Sequence, residues 1–557
     1  MTRPQAWPPA VATVRGYRRE WWRRDLVAGL VLTAMLVPAG IGYARAAGLP
    51  PETGLYATVV PLLVYAVLGP SRILVLGPDS SLAPIIAAAV LPLAAGSDRR
   101  IALAGVLAVL VGGWLVLGGL LRAGAVTALL SRPIRVGYLN GIAVVVLAGQ
   151  LPALLGLDGA GISLELPWSV HGGTFVPLAL GFGLGSLAAL VVARLTGHTV
   201  LGLAGVVVAS AALVALLGLG DRLPVVGALP SGLPHPALAG ATWADVRALV
   251  APAAGIALIA FTDTGVLSRS LAARHGETVD GSAEMRGLGA ANLATGLLAG
   301  FPISGSSSRT PVAETAGART QLTCVVGALG VTAFVLVAPG ATAWLPSATL
   351  AAVVVVAASS LVDVPGLARL VRTNPLDGAL SMIAFAGVVT LGVLQGIVVA
   401  VVLSLAAFVY QASRPYRAEL GLVHGVRGYH DLARHPEGER VPGCVIVRFD
   451  APLFFGNGER FDAFVRSTVA RRDDARLVVL AAEPITDVDS TAVEQLVALD
   501  DWLTSRGITF VLAEAKGPVK DRLRRYEPAR FGPERFAPTV GAAVDSFTGR
   551  LRGDLDE

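Results

Sequence analysis

The chain has 557 residues, of which 54% are hydrophobic and only 15% are charged. Soluble globular domains contain about 25% charged residues, so this composition excludes an ordinary soluble protein. Repeated apolar runs of about 18 residues or more predict a polytopic α-helical membrane protein instead. The net charge of +5 is small and its basic residues flank the apolar runs, which indicates membrane topology rather than nucleic-acid binding.

Residues 1–24 are predicted to form a cytoplasmic N-terminal segment. Clustered arginines precede the first apolar run, and the positive-inside rule places such clusters in the cytoplasm. Most later arginines fall on the same side when the apolar runs are counted along the chain. We therefore expect a multi-pass protein of the inner, or plasma, membrane with both termini in the cytoplasm.

The first of two interrupted segments covers residues 77–90 and begins Gly77-Pro78-Asp79-Ser80-Ser81. Gly77 suits a turn, and Pro78 suits the first turn of a helix. Asp79 or Ser80 suits the cap of that helix. This pattern predicts a short helix that starts inside the membrane.

The second interrupted segment is a polar, glycine-rich island from Gly300 to Gly317. It holds four serines that favour a helix start, followed at once by Arg309; they are Ser304, Ser306, Ser307 and Ser308. A helix over 308–316 would be about 14 Å long, too short for a hydrocarbon layer of about 30 Å. The start of such a half-helix favours an anion, and Arg309 adds a full charge. A polar surface loop between two membrane helices is the alternative.

Twelve further apolar segments bring the predicted total to about fourteen. They cover residues 26–47, 54–68, 101–121, 136–156, 174–194, 198–218, 249–272, 287–299, 320–338, 348–362, 377–394 and 396–412. We therefore expect an all-α transmembrane domain over residues 25–414. Short, interrupted segments in the two halves of a transporter indicate its binding site.

The pattern changes at about Pro415 to one typical of a soluble α/β domain. Strands are predicted over 445–449, 476–481 and 509–513, and helices over 458–470 and 490–506. The strands and helices alternate, so residues 415–557 are predicted to form one small cytoplasmic domain.

Specific motifs are spread along the whole chain. They are Gly48-Leu49-Pro50-Pro51 with Gly69-Pro70-Ser71-Arg72; Arg132-Pro133 with Gly137-Tyr138 and Gln150-Leu151; Phe301-Pro302 with Ser308-Arg309-Thr310 and 317–322; and Ala451-Pro452-Leu453-Phe454-Phe455-Gly456-Asn457 with Asp489-Ser490-Thr491-Ala492. The first three groups resemble the sulfate permease family, the SulP/SLC26 anion transporters, and the last resembles a STAS domain. The resemblance implies two inverted repeats of seven segments, a core domain that moves against a gate domain, a STAS domain and a homodimer.

The resemblance also implies an anion site between the starts of the third and tenth segments. The matching residues here are Tyr43, Pro78, Asp79, Ser80, Ser306, Ser307, Ser308 and Arg309. Family members usually carry a glutamine after the Val-Pro pair of the first segment, whereas this chain has Ala39. One polar contact to the substrate is therefore missing, which leaves the identity of the anion open.

Asp263, flanked by Thr262 and Thr264 in the apolar 249–272 segment, is the candidate for coupling to a cation, either a proton or sodium. Related bacterial proteins often have an acid at this place, and a carboxylate at membrane depth is costly unless it is protonated or paired. The alternative is a structural acid satisfied by backbone donors or by Arg309. Asp79 is interpreted as a helix cap, with proton transfer as its alternative.

Ser490 is a further candidate in the STAS-like region, where it is interpreted as a helix cap with regulatory phosphorylation as the alternative. No nucleophile–base pair or metal-ligand spacing stands out in the sequence, so we expect neither an enzyme nor a bound cofactor. Expected partners are the anion, the lipid bilayer, a second copy of the chain and a cytoplasmic protein at the STAS domain.

The sequence predicts a secondary active transporter that imports sulfate or a similar oxyanion with protons or sodium, by an elevator-like alternating-access mechanism. Three alternatives stay open at this point. The cargo could be bicarbonate or a C4-dicarboxylate. The protein could be an uncoupled anion channel or exchanger. It could also be a membrane-anchored STAS signalling scaffold.

Overall fold

The computed structural model describes residues 17–94, 96–124, 131–158, 161–163, 169–230 and 232–553. Most of the predicted cytoplasmic segment 1–24 and the extreme C-terminus lie outside these residues. The chain divides into two compact units, Met1–Ser404 and Leu405–Glu557, called here the membrane unit and the α/β unit. The predicted domain boundary between residues 414 and 415 stays a prediction.

The membrane unit is built from α-helices. In chain order they are α1 (Trp22–Ala46), α2 (Pro51–Leu68), α3 (Ala83–Val90), α4 (Ser97–Leu120), α5 (Arg132–Leu154), α6 (Pro177–Leu195), α7 (Thr199–Leu216), α8 (Trp243–Arg274), α9 (Gly281–Leu297), α10 (Arg309–Thr315), α11 (Leu322–Val337), α12 (Ser347–Ala358), α13 (Val364–Thr373), α14 (Pro375–Leu391) and α15 (Val393–Ala412), the last of which crosses the boundary between the units. Among the described residues, seven helical segments are long and apolar enough to cross a membrane, by length and composition.

The predicted all-α architecture with about fourteen segments is confirmed. Fourteen of the helices correspond to the predicted segments, including both short ones. The exception, α13, has no fully buried residue, and its apolar side chains lie along one face. A search for continuous apolar runs misses such a helix, because an amphipathic surface helix alternates apolar and polar residues.

Packing divides the membrane helices into two groups. Helices α1–α4 pack with α8–α11, while α5–α7 pack with α12–α14. Glycines permit the closest approach within the first group: a Cβ on Gly105 of α4 would lie 2.7 Å from the carbonyl oxygen of Gly296 on α9. Small residues at helix crossings are typical of membrane bundles, since they let backbones meet.

Two very short strands join the two halves of the membrane unit. Strand β1 (Leu76–Gly77) precedes α3, and strand β6 (Ser304–Gly305) precedes α10. They pair antiparallel, with Leu76 opposite Gly305 and Gly77 opposite Ser304. The backbone N–H of Ser306 donates to the carbonyl of Val75 (2.9 Å), which extends the pairing. The starts of α3 and α10 are therefore fixed side by side.

The helix cap predicted at Asp79 or Ser80 is wrong, as is the placement of Pro78 in the first helical turn. Helix α3 begins at Ala83, because the Asp79 carboxylate accepts hydrogen bonds from the backbone N–H and the hydroxyl of Ser81, both at 3.0 Å. These bonds hold residues 79–82 in a turn that precedes the helix. Asp79 thus stabilises a turn rather than serving as the helix cap.

Side chains from the neighbouring helices hold the β1–β6 pair in place. Asn292 on α9 exchanges two hydrogen bonds with the backbone of Ile303, at 2.9 and 3.1 Å. The backbone N–H of Gly305 donates to the hydroxyl of Thr264 on α8 (2.8 Å). The irregular backbone is thus satisfied by protein groups, as membrane depth requires.

Asp25, on the first turn of α1, is fully buried and ties α1 to the start of α11. Its carboxylate accepts from the backbone N–H groups of Arg319 (2.7 Å) and Thr320 (3.1 Å) and from the hydroxyls of Thr320 (2.7 Å) and Thr323 (3.0 Å). The side-chain amide of the neighbouring Gln321 donates to the carbonyls of Ser71 (2.8 Å) and Leu74 (3.0 Å). The 317–322 motif is therefore a structural junction.

The membrane unit also contains two short hairpin pairings between α5 and α6. Strand β2 (Leu157–Asp158) pairs with β5 (Thr174–Phe175), and β3 (Gly161–Ser163) pairs with β4 (Ser169–His171).

The α/β unit has one six-stranded sheet in the order β12-β11-β10-β9-β7-β8. Its strands are β7 (Arg417–Leu422), β8 (Tyr429–Asp431), β9 (Cys444–Phe449), β10 (Leu477–Ala481), β11 (Thr509–Ala513) and β12 (Phe536–Ala537). Its helices are α16 (Gly458–Val469), α17 (Ser490–Thr504), α18 (Gly517–Tyr526) and α19 (Val540–Gly553). Strands β9 to β12 are parallel. All five elements predicted here are confirmed, with boundaries within two residues.

The cap of α17 is Asp489 and not Ser490, which corrects the interpretation made from the sequence. One Asp489 oxygen accepts from the backbone N–H of Ala492 (2.8 Å), and the other accepts from that of Phe455 (2.9 Å). Ser490 is the exposed first residue of the helix.

Asp25→Ala is expected to destabilise the membrane unit by about 3 kcal/mol or more, because it leaves several buried donors without an acceptor. The measurement is the thermal unfolding midpoint of the purified protein in detergent. Asp98→Ala, at an exposed position on the first turn of α4, is the matched control. An unchanged midpoint for Asp25→Ala would show that the junction does not depend on this carboxylate.

A chain that ends at residue 414 is expected to insert into the membrane, because the two units have separate buried cores. Insertion can be followed by membrane fractionation and by alkaline extraction of the truncated protein. Failure of the truncated chain to insert would count against the predicted boundary.

Candidate functional site

Arg309 is the largest fully buried side chain of the described residues, with 1% of its surface exposed. Its Nε donates to the hydroxyl of Ser306 (2.8 Å), and Nη2 donates to the backbone carbonyl of Pro78. Nη1 has no hydrogen-bond partner within the described part of the chain. A buried guanidinium with a free N–H edge is suited to bind an anion.

Gly77 makes room for this guanidinium. Its φ is +153°, a conformation that side chains other than glycine rarely adopt, and a Cβ here would lie 3.3 Å from Nη1 of Arg309. The backbone of β1 can therefore lie directly against the charge. The close approach to the guanidinium explains why glycine suits the start of the first interrupted segment.

The three serines before α10 fall into two classes. Ser306 is fully buried, and its hydroxyl accepts from both the backbone N–H (3.2 Å) and Nε of Arg309, so it orients the arginine. Ser307 and Ser308 are exposed, and the Ser308 hydroxyl lies 3.3 Å from that of Ser306. The half-helix predicted over 308–316 is confirmed within one residue at each end, since α10 runs Arg309–Thr315.

Tyr43 of α1 completes this side of the site. Its phenol is buried, interacts with the side chain of Ser80 and experiences the charges of Asp79 and Arg309. Ser80 and Pro78 are buried, while Asp79 is half-buried. The structure therefore brings seven of the eight predicted residues together and leaves Ser307 exposed, and their role in binding stays a prediction.

Asp263 of α8 lies next to the same turn. The hydroxyl of Ser81 lies 3.3 Å from its Oδ2, and the charges of Asp79 and Arg135 act on it. The described hydrogen bonds of the Arg309 side chain go to Ser306 and Pro78. They do not support the alternative in which Arg309 pairs with Asp263.

Thr262 and Thr264, the residues flanking Asp263, are buried and donate to carbonyls of their own helix. The acceptors are Leu258 (2.7 Å) and Ala260 (2.6 Å), respectively. Because Thr264 also accepts from the N–H of Gly305, it joins α8 to β6. Their assignment to ion coupling stays a prediction.

Three residues near the acids were not among the predicted site residues: Ser81, Arg135 and Tyr138. Ser81 is one of two adjacent serines in this turn, and the sequence does not show which of them lies next to Asp263. Arg135 and Tyr138 lie on α5, in the second helix group, and the Tyr138 hydroxyl is buried without a hydrogen-bond partner among the described residues. The motif containing Tyr138 was the available signal, but a sequence does not show which helix faces the acids.

The chemistry of the site is that of anion binding at membrane depth. It offers N–H and O–H donors together with two carboxyls that can hold a proton. Within the described residues there is no group of three or more His, Cys, Asp and Glu side chains arranged to hold a metal ion.

The comparisons with known proteins agree with this geometry. A model of the sulfate permease family matches residues 22–384, and a STAS domain model matches residues 435–543. A protein of Mycobacterium tuberculosis strain H37Rv named a probable sulfate transporter is 40% identical over 558 residues, covering 98% of each chain.

The solved structures that are similar share the fold. The structure of SLC26A9 covers 99% of this chain and 93% of its own, with a TM-score of 0.90 at 21% identity. The transmembrane domain of the cyanobacterial bicarbonate transporter BicA covers 70% of this chain, with a TM-score of 0.57 at 18% identity. These likenesses confirm the predicted membrane fold with a C-terminal STAS domain.

Proposed function

The chain belongs to the sulfate permease family, and on that premise we propose that it is a secondary transporter of small oxyanions, with sulfate as the preferred cargo. The observation that carries this proposal is the buried Arg309, whose Nη1 has no protein partner within the described residues. A charge at membrane depth costs several kcal/mol, so its retention beside an interrupted helix indicates a function. The relative named a sulfate transporter supports the choice of sulfate.

The donors at the site suit an oxyanion. A guanidinium presents N–H groups in a planar fork that matches oxygen atoms of sulfate, and the Ser308 hydroxyl lies 3.3 Å from the Ser306 hydroxyl that orients it. Bicarbonate and C4-dicarboxylates present similar oxygens and remain the alternative cargoes. A signalling scaffold is disfavoured, because a scaffold gains nothing from a buried arginine at this position.

Transport requires that the site moves or opens toward both sides. Every residue placed at the anion site lies on a helix of the first group or in the short segments that join β1 to α3 and β6 to α10, while Arg135 and Tyr138 belong to the second group. The paired strands fix α3 and α10 to each other, so the first group is suited to move as one body. We propose that it moves elevator-like against the second group.

Coupling to a proton gradient is proposed at Asp263. A proton bound to this carboxyl during import would lower the cost of carrying the acid through the membrane with the anion. The nearby charge of Arg135 disfavours a bound sodium ion, which is why we prefer the proton.

Four further proposals follow from the family. They are homodimer formation, a partner at the STAS domain, phosphorylation of Ser490 and the cytoplasmic location of both termini.

Arg309→Ala is expected to weaken sulfate binding at least about tenfold, because it removes the charged donor of the site. Binding of labelled sulfate to the purified protein measures this effect. Arg309→Lys should restore only part of the affinity, since an ammonium lacks the planar fork. Arg319→Ala, whose side chain is exposed, is the control. Normal affinity in a correctly inserted Arg309→Ala protein would remove this residue from the site.

Asp263→Asn is expected to uncouple sulfate movement from the proton gradient, since asparagine keeps the size of the side chain but cannot carry a proton. In proteoliposomes the wild type should accumulate sulfate faster as the external pH falls, and the variant should lose this response while it still exchanges sulfate for sulfate. Asp221→Asn, at an exposed loop position, is the matched control.

Accumulation of sulfate against its gradient by Asp263→Asn at the wild-type rate would make Asp263 a structural residue. Uptake that follows a sodium gradient but not a pH gradient would replace the proton with sodium. Conductance without either dependence would favour the uncoupled channel.

A further inference from the structure

The hydroxyl of Ser81 lies between two carboxyls. Its Oγ is 3.0 Å from Oδ1 of Asp79 and 3.3 Å from Oδ2 of Asp263. The backbone N–H of Ser81 also donates to Oδ1 of Asp79 (3.0 Å), which holds that carboxyl in position. The three side chains form a continuous path from the turn before α3 to the middle of α8.

The number of available hydrogens decides whether both contacts of the Ser81 hydroxyl can be hydrogen bonds. A serine hydroxyl has one hydrogen to donate, whereas an ionised carboxyl can only accept. If both acids were ionised, Ser81 could donate to one of them and would present a lone pair to the other. If one acid carries a proton, that acid donates to Ser81 and Ser81 donates to the other acid, so both contacts are hydrogen bonds.

A second, independent observation points to the same place. The Tyr138 side chain is only 1% exposed, and its hydroxyl has no hydrogen-bond partner among the described residues. The charges of both Asp263 and Asp79 act on this hydroxyl. A buried, unsatisfied hydroxyl is costly, so a carboxylate that comes within reach of Tyr138 can accept its hydrogen.

The other charged or titratable groups near the pair come from three helices. Tyr43 on α1 and Arg309 on α10 act on the Asp79 side. Arg135 on α5 acts on the Asp263 side. Cationic side chains thus act on both acids, which favours one remaining negative charge on the pair. Two full negative charges so close together are disfavoured by their mutual repulsion.

We propose that Asp79 and Asp263 share a single transported proton through the hydroxyl of Ser81, and that Tyr138 donates to the carboxylate once this proton has left. In the shared state the carboxylic acid gives its proton to Ser81 Oγ, while Ser81 gives its own hydrogen to the opposite carboxylate. The total number of protons is unchanged by this exchange. The proposal rests on the proton-coupled transport proposed above, and adds a second acid and two positioning residues to it.

The arrangement also suggests how movement and protonation are linked. Tyr138 belongs to the second helix group, whereas Asp79, Ser81 and Asp263 belong to the first. Movement of the first group would take the acid pair away from the Tyr138 hydroxyl. Loss of that donor favours the protonated pair, because an ionised carboxylate would then have one hydrogen-bond donor fewer.

The test is the pH dependence of proton-driven sulfate uptake in proteoliposomes. Asp79→Asn removes a neighbouring negative charge, so the pH midpoint should fall by about one unit or more. Tyr138→Phe removes a donor to the ionised form, so the midpoint should rise by about half a pH unit or more. Ser268→Ala removes a buried hydroxyl that donates to its own helix on α8 and should leave the midpoint unchanged.

Infrared spectroscopy of the purified protein supplies a readout that does not require transport. At a pH between the uptake midpoints of the wild type and of Asp79→Asn, the wild type should show the C=O band of a protonated carboxyl. The band should be lost at this pH in Asp79→Asn and also in Asp263→Asn, because either substitution leaves a single acid that no longer shares a proton. The buried Glu284 is present in every variant, so its contribution cancels in the difference spectra.

Midpoints of Asp79→Asn and Tyr138→Phe that stay at the wild-type value, or that shift in the same direction, would overturn the shared proton. Loss of the infrared band in only one of the two Asn variants would overturn it as well. A wild-type protein whose uptake ignores the pH gradient would instead overturn the proton-coupled transport itself.

Discussion

Burial of the Arg309 charge is the constraint on which the rest of the membrane unit depends. The guanidinium is almost fully enclosed, and only two of its three nitrogens have protein acceptors among the described residues. Burying a charge costs free energy unless it is paired and hydrogen-bonded. A bound oxyanion would supply the missing pairing. The free energy that burial of the unpaired charge costs would then favour binding. A transporter can use such a site because the anion must be held and then released.

Holding that charge in place needs an irregular backbone, and the irregular backbone needs its own partners. The β1–β6 pair brings the two interrupted segments together, and Asn292 and Thr264 satisfy backbone groups next to it. Asp25 and Gln321 perform the same task where α11 begins. The polar residues of the membrane unit discussed above are thus of two kinds, those that support the backbone and those of the proposed anion and proton sites.

The sequence predicts the helical architecture from local patterns, and it predicts a candidate anion site from those patterns together with the family resemblance. Long apolar runs, two Gly-Pro or Gly-Ser interruptions and Arg309 are visible without a structure. The junction at Asp25 and the path through Ser81 are not, because both depend on residues far apart in sequence that meet only after folding. The motif that contains Tyr138 is recognisable in the sequence. Only the folded structure shows that its hydroxyl has no hydrogen-bond partner among the described residues and that the charges of Asp263 and Asp79 act on it. The cap of α17 is Asp489, one residue before the predicted Ser490, because the Asp489 carboxylate accepts from the backbone N–H of Ala492.

The most direct test of an anion beside Arg309 is protection of Ser307→Cys from a methanethiosulfonate reagent. Ser307 is exposed, whereas the native Cys324 and Cys444 are buried, and burial raises the pKa of the Cys444 thiol to about 12, so background labelling should be low. Sulfate should slow modification of Ser307→Cys in a concentration-dependent way and leave an exposed control, Ser97→Cys, unaffected. Equal rates with and without saturating sulfate at Ser307→Cys would contradict the account.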